Sequence, residues 1–183
     1  SLLRLVSSFS IHTKTSQWYG YEYNLPYQKI EIEEKEVFVR TCCESAVFSQ
    51  VLDLGCNAGR YSILAAQFCE NVVAIDKDPG CIEALYKKLK RELIGNVLPL
   101  IIDIANPSPA HGWREVERAS FFERVKPDLI MCLALIHHMV LTNSIPVREF
   151  VSWLHEFSCK VIIEVPHEND EMVREITGRK QEN

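Results

Sequence analysis

Residues 51–60 read VLDLGCNAGR, an apolar run that leads directly into a glycine-containing turn and then into a segment of helical periodicity. Glycines at such a turn let the backbone approach a ligand closely. In an open parallel sheet, ligands bind beyond the carboxyl ends of the strands, near the point where the strand order reverses. Asp53, two positions before Gly55, places a carboxylate at that strand end, which suits a cationic group such as an ammonium. The stretch therefore predicts a strand, a ligand-binding turn and a helix.

Short apolar runs alternate with helix-period segments from residue 50 onward. The predicted strands cover residues 51–54, 72–75, 98–102, 129–135 and 161–163. The predicted helices cover residues 61–68, 82–93 and 147–154, with a short helix around residues 114–124. Strands separated by single helices imply right-handed crossovers between parallel strands. The pattern predicts an α/β, Rossmann-like, doubly wound and mainly parallel sheet of at least five strands.

Acidic residues stand at the ends of three successive predicted strands. Asp76 follows the second strand, 21 residues after Gly55, and Asp103 follows the third. A carboxylate at the end of the second strand can accept hydrogen bonds from both hydroxyls of a ribose. Each acid could instead cap the helix that follows it. Three acids in succession favour one shared ligand site over three separate caps.

The DLGCNAGR segment resembles motif I of the class I S-adenosylmethionine-dependent methyltransferases, whose usual form is acidic-x-Gly-x-Gly-x-Gly. Asn57 stands at the central glycine, and asparagine tolerates left-handed backbone angles. The segments NPSP (106–109), GW (112–113), ER (117–118) and ALIHH (134–138) resemble a branch of the same family. The resemblance spans roughly residues 30–175 and implies S-adenosylmethionine as the cofactor.

The resemblance also implies a role for individual residues. The methionine end of the cofactor is expected along Gly55–Gly59, with Asp53 near its amino group. Asp76 is expected at the ribose, Lys77 beside the adenine and Asp103 at the adenine amino group. The expected cofactor-binding set is Asp53, Gly55, Asn57, Gly59, Asp76, Lys77, Asp103, Ile104 and Leu133.

The chain is expected to form one domain, residues 1–183. An N-terminal helical and aromatic cap (1–48) precedes the cofactor-binding core (49–166), and a helix follows (167–183). In the cap, the segment 31–45 predicts a helix that covers the sheet with Val37, Phe38 and Cys42, and the aromatic stretch 18–27 is lid-like. The sixth and seventh strands that close the sheet of this family have no counterpart after Val165. The C-terminal hairpin is therefore expected to be missing, and a truncated fragment is the preferred explanation.

The acceptor of the methyl group is expected beyond the fourth strand, where Ala134-Leu135-Ile136-His137-His138 stands. Methyltransferases place acceptor-facing residues there, and this ending is similar to that of many small-molecule members. Histidine has an unperturbed pKa near neutrality, so His137 or His138 can act as a general base. The alternative is that one histidine only orients the loop.

The connection after the third strand adds possible substrate contacts. Trp113 could stack on an acceptor, and Arg114 or Arg118 could hold a carboxylate or phosphate. A surface helix with ordinary Arg–Glu pairs is the alternative. The NPSP segment resembles the Asn-Pro-Pro-aromatic signature of amino-methylating enzymes, but it follows the third strand and lacks the aromatic residue. It is interpreted as a loop-shaping segment.

Composition limits the partners of the chain. No apolar run approaches the roughly 20 residues that span a bilayer, so no membrane association is expected. The formal net charge of -5 argues against non-specific nucleic-acid binding, although RNA remains a possible partner. Seven cysteines without a CxxC pair or a zinc-type spacing indicate a reducing, cytoplasmic location and no metal.

Three readings of the function result from the sequence. The first is methyl transfer from S-adenosylmethionine to an oxygen or nitrogen of a small molecule. The second is a module that binds the cofactor without catalysis, or a domain that methylates RNA or protein within a larger chain. The last is a nicotinamide-dependent oxidoreductase, which the sequence disfavours because the GxGxxG fingerprint lacks its glycines at positions 57 and 60.

Overall fold

A computed structural model describes residues 29–167, together with Arg4 and Arg174. The strands are β1 (Phe48–Leu54), β2 (Cys69–Asp76), β3 (Val97–Ile101), β4 (Leu129–Cys132) and β5 (Lys160–Ile163). The helices are α1 (Lys29–Glu44), α2 (Arg60–Ala65), α3 (Pro79–Glu92), α4 (Phe121–Arg124) and α5 (Val147–Glu156). A 3₁₀ turn covers Trp113–Glu115 and a π-helix covers His138–Thr142.

The described strands form one sheet in the order β3-β2-β1-β4-β5, and every neighbouring pair is parallel. The chain runs outward from β1 to β3 and then returns to the other side of β1 with β4. The strand order therefore reverses between β1 and β4, and a crevice opens there at the carboxyl edge. The predicted α/β, Rossmann-like, parallel fold is confirmed.

Alternate residues of the central strands pack on opposite faces of the sheet. Val51 and Met131 face a cluster that includes side chains of α1, α2 and α3. Leu52 and Ile130 face a second cluster, which includes side chains of α4 and α5. Because both faces are covered by helices, the central strands are apolar throughout, as buried parallel strands usually are. Since helices occupy both faces of the sheet, its carboxyl edge is the place where a ligand-binding site can form.

Two predictions about local structure are wrong. The predicted helix is present as α1 and Cys42 packs against the core, but Val37 and Phe38 are 63% and 58% exposed, and Val39 and Cys43 are buried instead. The helix predicted around residues 114–124 is mostly absent, because Arg114 (φ 57°) and Glu115 (φ 61°) have left-handed backbone angles. Only the 3₁₀ turn and the single turn of α4 are helical there.

Other predicted boundaries shift by a few residues. The fourth strand ends at Cys132, not Leu135, and the helix predicted for residues 61–68 ends at Ala65. Leu93 caps the end of α3 in a left-handed conformation. The aromatic stretch 18–27 and the predicted C-terminal helix fall outside the described residues, apart from the single residue Arg174. None of the helices described is both long and apolar enough to cross a membrane.

Gly59 begins α2 and packs directly on α3. Its φ is 81°, and an added Cβ would overlap a terminal methyl group of Leu85. Both the left-handed angle and the close approach of the two helices therefore require glycine. Glycine at position 59 is thus required by the packing of the fold, whether or not a ligand is bound.

Gly59→Ala is expected to lower the free energy of unfolding by about 2–4 kcal/mol, from the left-handed angle and the overlap with Leu85. Gly95→Ala is the matched control, since no described atom outside its own neighbours lies within 4 Å of the added Cβ. Urea denaturation of both variants measures the difference. Equal stabilities for the two variants would contradict the assigned packing.

Candidate functional site

A cavity of about 630 Å³ opens at the carboxyl edge of the sheet, where the strand order reverses. Its walls come from α1, from the turns after β1 and β2, and from the segments after β3, β4 and β5. Nine residues predicted from the sequence to belong to the site line it together: Asp53, Gly55, Asn57, Asp76, Lys77, Asp103, Ile104, Leu133 and His138.

The turn after β1 is held against the end of β2. The amides of Gly55 and Cys56 both donate to the carbonyl of Ile75, each at 2.9 Å. Asn57 adopts φ 49°, the left-handed conformation that asparagine tolerates, and its side chain accepts a hydrogen bond from the amide of Ala58 at 2.6 Å. Asn57 therefore replaces the central glycine of the usual motif without breaking the turn.

Asp76 accepts a hydrogen bond from this turn. Its Oδ2 accepts a hydrogen bond from the Asn57 amide at 2.9 Å, and its Oδ1 accepts one from the Asp78 amide at 2.9 Å. Burial raises the pKa of the Asp76 carboxyl, and these two hydrogen bonds oppose the rise. The carboxylate is thus fixed in orientation at the end of β2, on the wall of the cavity.

Asp53 lies deeper, at 3% exposure, near the end of β1. The Ser62 hydroxyl donates a hydrogen bond to its Oδ2 at 2.5 Å. Burial raises the pKa of Asp53 to about 6, which the Ser62 bond partly offsets. A cationic group entering the cavity would favour the ionised carboxylate.

Asp103, Ile104 and Lys77 form the part of the wall beside β2 and β3. The Asp103 side chain is exposed, and its Oδ1 accepts a hydrogen bond from the Ala105 amide at 2.9 Å. Lys77 is exposed and directly follows β2. Gly59, the remaining residue of the predicted cofactor set, is not among the residues that line the cavity. Its predicted role in cofactor binding stays a prediction.

The two histidines lie at the start of the π-helix, and their ring centroids are 4.2 Å apart. His138 lines the cavity, whereas His137 is buried and is not part of the lining. Burial, with smaller contributions from His137 and Lys77, lowers the pKa of His138 to about 4. His138 is therefore a neutral imidazole at neutral pH. The catalytic role predicted for either histidine stays a prediction.

Trp113, Arg114 and Arg118 are exposed and lie outside the cavity lining. Residues 111 and 118 form an antiparallel bridge that turns the segment into a surface loop, with Trp113 76% exposed at its tip. The structure therefore does not bring the three predicted substrate residues to the other site residues. Their predicted contacts with a substrate stay predictions.

The sequence analysis missed several lining residues, chiefly Lys35, Tyr61, Asn143 and Glu164. Glu164 directly follows β5, so the argument that identified acids after earlier strands could have found it. Lys35 gave no such signal, because only the fold brings α1 to the end of β5. In the part of the chain described, no cluster of three or more His, Cys, Asp or Glu side chains could hold a metal ion.

The parallel sheet, the glycine-containing turn after β1 and the acids at or just beyond the carboxyl ends of β1, β2 and β3 define the class I S-adenosylmethionine-dependent methyltransferase fold. Residues 11–116 match the sequence model of one protein family. The chain belongs to the TehB family, described as tellurite resistance protein TehB. The resemblance to the methyltransferases identified from the sequence is thereby confirmed.

Other proteins share sequence or fold with the chain. Nodulation protein NoeA of Rhizobium meliloti (strain 1021) is 34% identical over 169 residues, which are 91% of this chain and 35% of NoeA. The chain thus spans about a third of the length of this curated relative. The N-methyltransferase NodS of Bradyrhizobium japonicum WM9, solved with S-adenosyl-L-homocysteine, superimposes with a TM-score of 0.53 at 20% identity, covering 74% of this chain and 60% of NodS.

A second protein of similar fold is the bifunctional kinase–methyltransferase WbdD. It superimposes with a TM-score of 0.56 at 18% identity, covering 93% of this chain and 36% of WbdD. At these identities, the two solved structures support the fold only. The fold they share with the chain is the methyltransferase fold.

The raised pKa of Asp53 predicts a specific pH dependence of stability. The folded pKa of about 6 lies above the ordinary aspartate pKa of 3.8, so the native state binds the proton more tightly than the unfolded state. The contribution of Asp53 to the free energy of unfolding is therefore present below about pH 4 and is lost as the pH rises through about 6.

Asp53→Asn cannot ionise, so its stability relative to wild type should increase by up to about 3 kcal/mol between pH 4 and 7. Urea unfolding of both proteins across this range measures the change. Ser62→Ala removes the hydrogen bond that lowers the pKa of Asp53. In this variant the loss of stability should therefore occur at a higher pH than in wild type. A constant difference between wild type and Asp53→Asn would contradict the assignment.

Proposed function

We propose that the cavity binds S-adenosylmethionine and that the chain transfers its methyl group to an oxygen or nitrogen of a small molecule. The observation that carries this proposal is the convergence of Asp53, Asp76 and Asp103 with the turn after β1 on one cavity. The ammonium of the cofactor would lie near Asp53 and its ribose hydroxyls at Asp76. The complex of the similarly folded NodS with S-adenosyl-L-homocysteine supports the same choice of ligand.

The charge of the cavity suits the reacting form of the cofactor. Six acidic side chains but only three basic ones line it: Glu31, Glu34, Asp53, Asp76, Asp103 and Glu164 against Lys35, Arg60 and Lys77. S-adenosylmethionine carries a sulfonium cation beside its ammonium, so an excess of acids favours its binding. Methyl transfer leaves a neutral thioether, and the product loses part of that attraction.

The reaction is a direct displacement. A lone pair on the acceptor attacks the methyl carbon, the carbon–sulfur bond breaks, and its electron pair stays on sulfur. The chain contributes chiefly by holding the two reactants in line. The oxygen or nitrogen that gains the methyl group becomes more acidic as the new bond forms, and its proton must then leave.

His138 supports removal of that proton. It lines the cavity at the end of the segment that follows β4, beside Met139 and Asn143. With its pKa lowered to about 4, the imidazole is unprotonated near pH 7 and can accept a hydrogen bond. A weak base suffices when the proton comes from an acceptor atom that is becoming positively charged.

The size of the cavity favours a small acceptor. A volume of about 630 Å³ falls within the range of sites for a single small molecule, about 300–1,000 Å³, and S-adenosylmethionine would occupy much of it. The face of α1 that includes Glu31, Lys35 and Phe38 borders the cavity. The acceptor would therefore enter a recess rather than lie across an open surface.

Asp76→Asn tests the cofactor site. The substitution keeps the shape of the side chain but removes the charge that would bind the ribose, so affinity for S-adenosylmethionine should fall tenfold or more, about 1.4 kcal/mol. Isothermal titration calorimetry gives the dissociation constants. Asp128→Asn is the matched control, because Asp128 also accepts two backbone hydrogen bonds, from Ser49 and Gln50, but lies at the opposite edge of the sheet.

Equal affinities of the Asp76→Asn and Asp128→Asn variants for S-adenosylmethionine would show that Asp76 does not bind the cofactor. Binding of NADH without binding of S-adenosylmethionine would contradict the proposed activity as a whole.

His138→Asn tests the acceptor side. Loss of a proton acceptor should lower the rate of methyl transfer by about 10²-fold, with little change in the affinity for S-adenosylmethionine. The measurement is transfer of labelled methyl groups to a panel of small alcohols and amines. His155→Asn is the matched control, since His155 is exposed on α5 and is not part of the cavity lining. Equal rates for the two variants would exclude His138 as the proton acceptor.

A further inference from the structure

Glu164 joins three parts of the chain at one carboxylate oxygen. Its Oε2 accepts hydrogen bonds from the Lys35 ammonium at 2.5 Å and from the Ala134 amide at 2.6 Å. Lys35 belongs to α1, Ala134 to the segment after β4, and Glu164 directly follows β5. All three residues line the cavity. One side chain therefore connects three walls of the site that are distant in sequence.

The bond to Ala134 stabilises an unfavourable backbone conformation. Ala134 has φ 50°, in the left-handed region that non-glycine residues with a Cβ rarely adopt. A hydrogen bond from its amide to a charged acceptor is stronger than a bond to a neutral one. The carboxylate of Glu164 thus compensates for a turn that alanine would otherwise disfavour.

The same turn sets the position of His138. Leu135 follows Ala134 directly, and its carbonyl accepts hydrogen bonds from the His138 amide at 2.9 Å and the Met139 amide at 3.2 Å. The helical segment that carries His138 therefore starts at this turn. A change in the angles of Ala134 would move the imidazole relative to the cavity.

The bond to Lys35 holds α1 at the cavity. The Lys35 ammonium also lies 5.0 Å from the ring centroid of Tyr61, a residue of α2. The side chains of Lys35 and Glu164 are only 23% and 30% exposed, so water screens their ion pair less than it would a surface pair. The ion pair therefore connects α1 to the carboxyl end of β5.

We propose that Glu164 is a positioning residue, which fixes the turn after β4, and with it the place of His138, while holding α1 over the cavity through Lys35. Its importance for methyl transfer rests on the proposed function. The positioning itself is a property of the chain without ligand.

Nuclear magnetic resonance titration of the His138 imidazole tests the proposal without cofactor or acceptor. In Glu164→Ala the turn should relax and expose His138, so its pKa should rise from about 4 toward the ordinary 6.5. A rise of one unit is a tenfold change in proton affinity. Simple removal of a nearby negative charge would lower the pKa of a histidine, so the two effects have opposite signs.

Two further variants separate the bonds of Glu164. Glu164→Gln keeps an oxygen for the Ala134 amide, and Lys35→Met leaves that bond intact, so His138 should keep its low pKa in both. In the double variant Glu164→Ala, Ala134→Gly the low pKa should return, because glycine adopts a positive φ without assistance. General destabilisation of the fold would not be reversed in this way.

An unchanged or lowered pKa of His138 in Glu164→Ala would overturn the proposal. If that variant does not fold by circular dichroism, the double variant Glu164→Ala, Ala134→Gly decides instead: a folded protein with the low pKa of wild-type His138 supports the proposal, and failure to fold or a raised pKa overturns it.

Calorimetric titration with S-adenosylmethionine is a separate arm of the experiment. Removal of the Lys35 charge would by itself strengthen binding of the cationic cofactor. Lys35→Met should nevertheless bind it about tenfold more weakly than wild type, because α1 is no longer held at the cavity, and wild-type or higher affinity would contradict this part of the proposal. Failure of the wild type to bind S-adenosylmethionine would refute the proposed function. The histidine titration would then still decide the role of Glu164.

Discussion

The hydrogen bond from the Asn57 amide to the Asp76 carboxylate is the contact on which the rest of the site depends. It joins the turn after β1 to the end of β2, together with two amides that donate to the Ile75 carbonyl. Parallel strands bring these ends to the same edge of the sheet, and the reversal of strand order leaves a crevice beside them. The acids and the glycine-containing turn therefore face one cavity.

Local sequence signals were sufficient for this half of the site. Short apolar runs predicted the strands, because strands buried on both faces have few alternatives to apolar residues. Asp53, Asp76 and Asp103 could be placed from their positions at strand ends alone. The left-handed angle of Asn57 agreed with the known tolerance of asparagine. The places of these residues at the cavity could be predicted because each depends on its own strand and turn.

The other half of the site depends on contacts that sequence spacing does not reveal. Lys35 and Glu164 are 129 residues apart and meet only because α1, which packs on one face of the sheet, also lines the cavity at the carboxyl edge. Val37 and Phe38 of α1 were predicted to be buried although they are exposed, since apolar residues occur on both faces of this helix. The segment after β3 has helical spacing, but the left-handed angles of Arg114 and Glu115 interrupt the helix. These errors all concern tertiary structure that overrides local preference.

The central claim is that this cavity holds S-adenosylmethionine by its acidic strand ends. A crystal structure of the chain grown with saturating S-adenosyl-L-homocysteine tests it most directly. We expect ribose hydroxyls within hydrogen-bond distance of Asp76 and the amino-acid end of the ligand along the turn that begins at Gly55. Ligand bound away from both residues, or an empty cavity at saturation, would contradict the account.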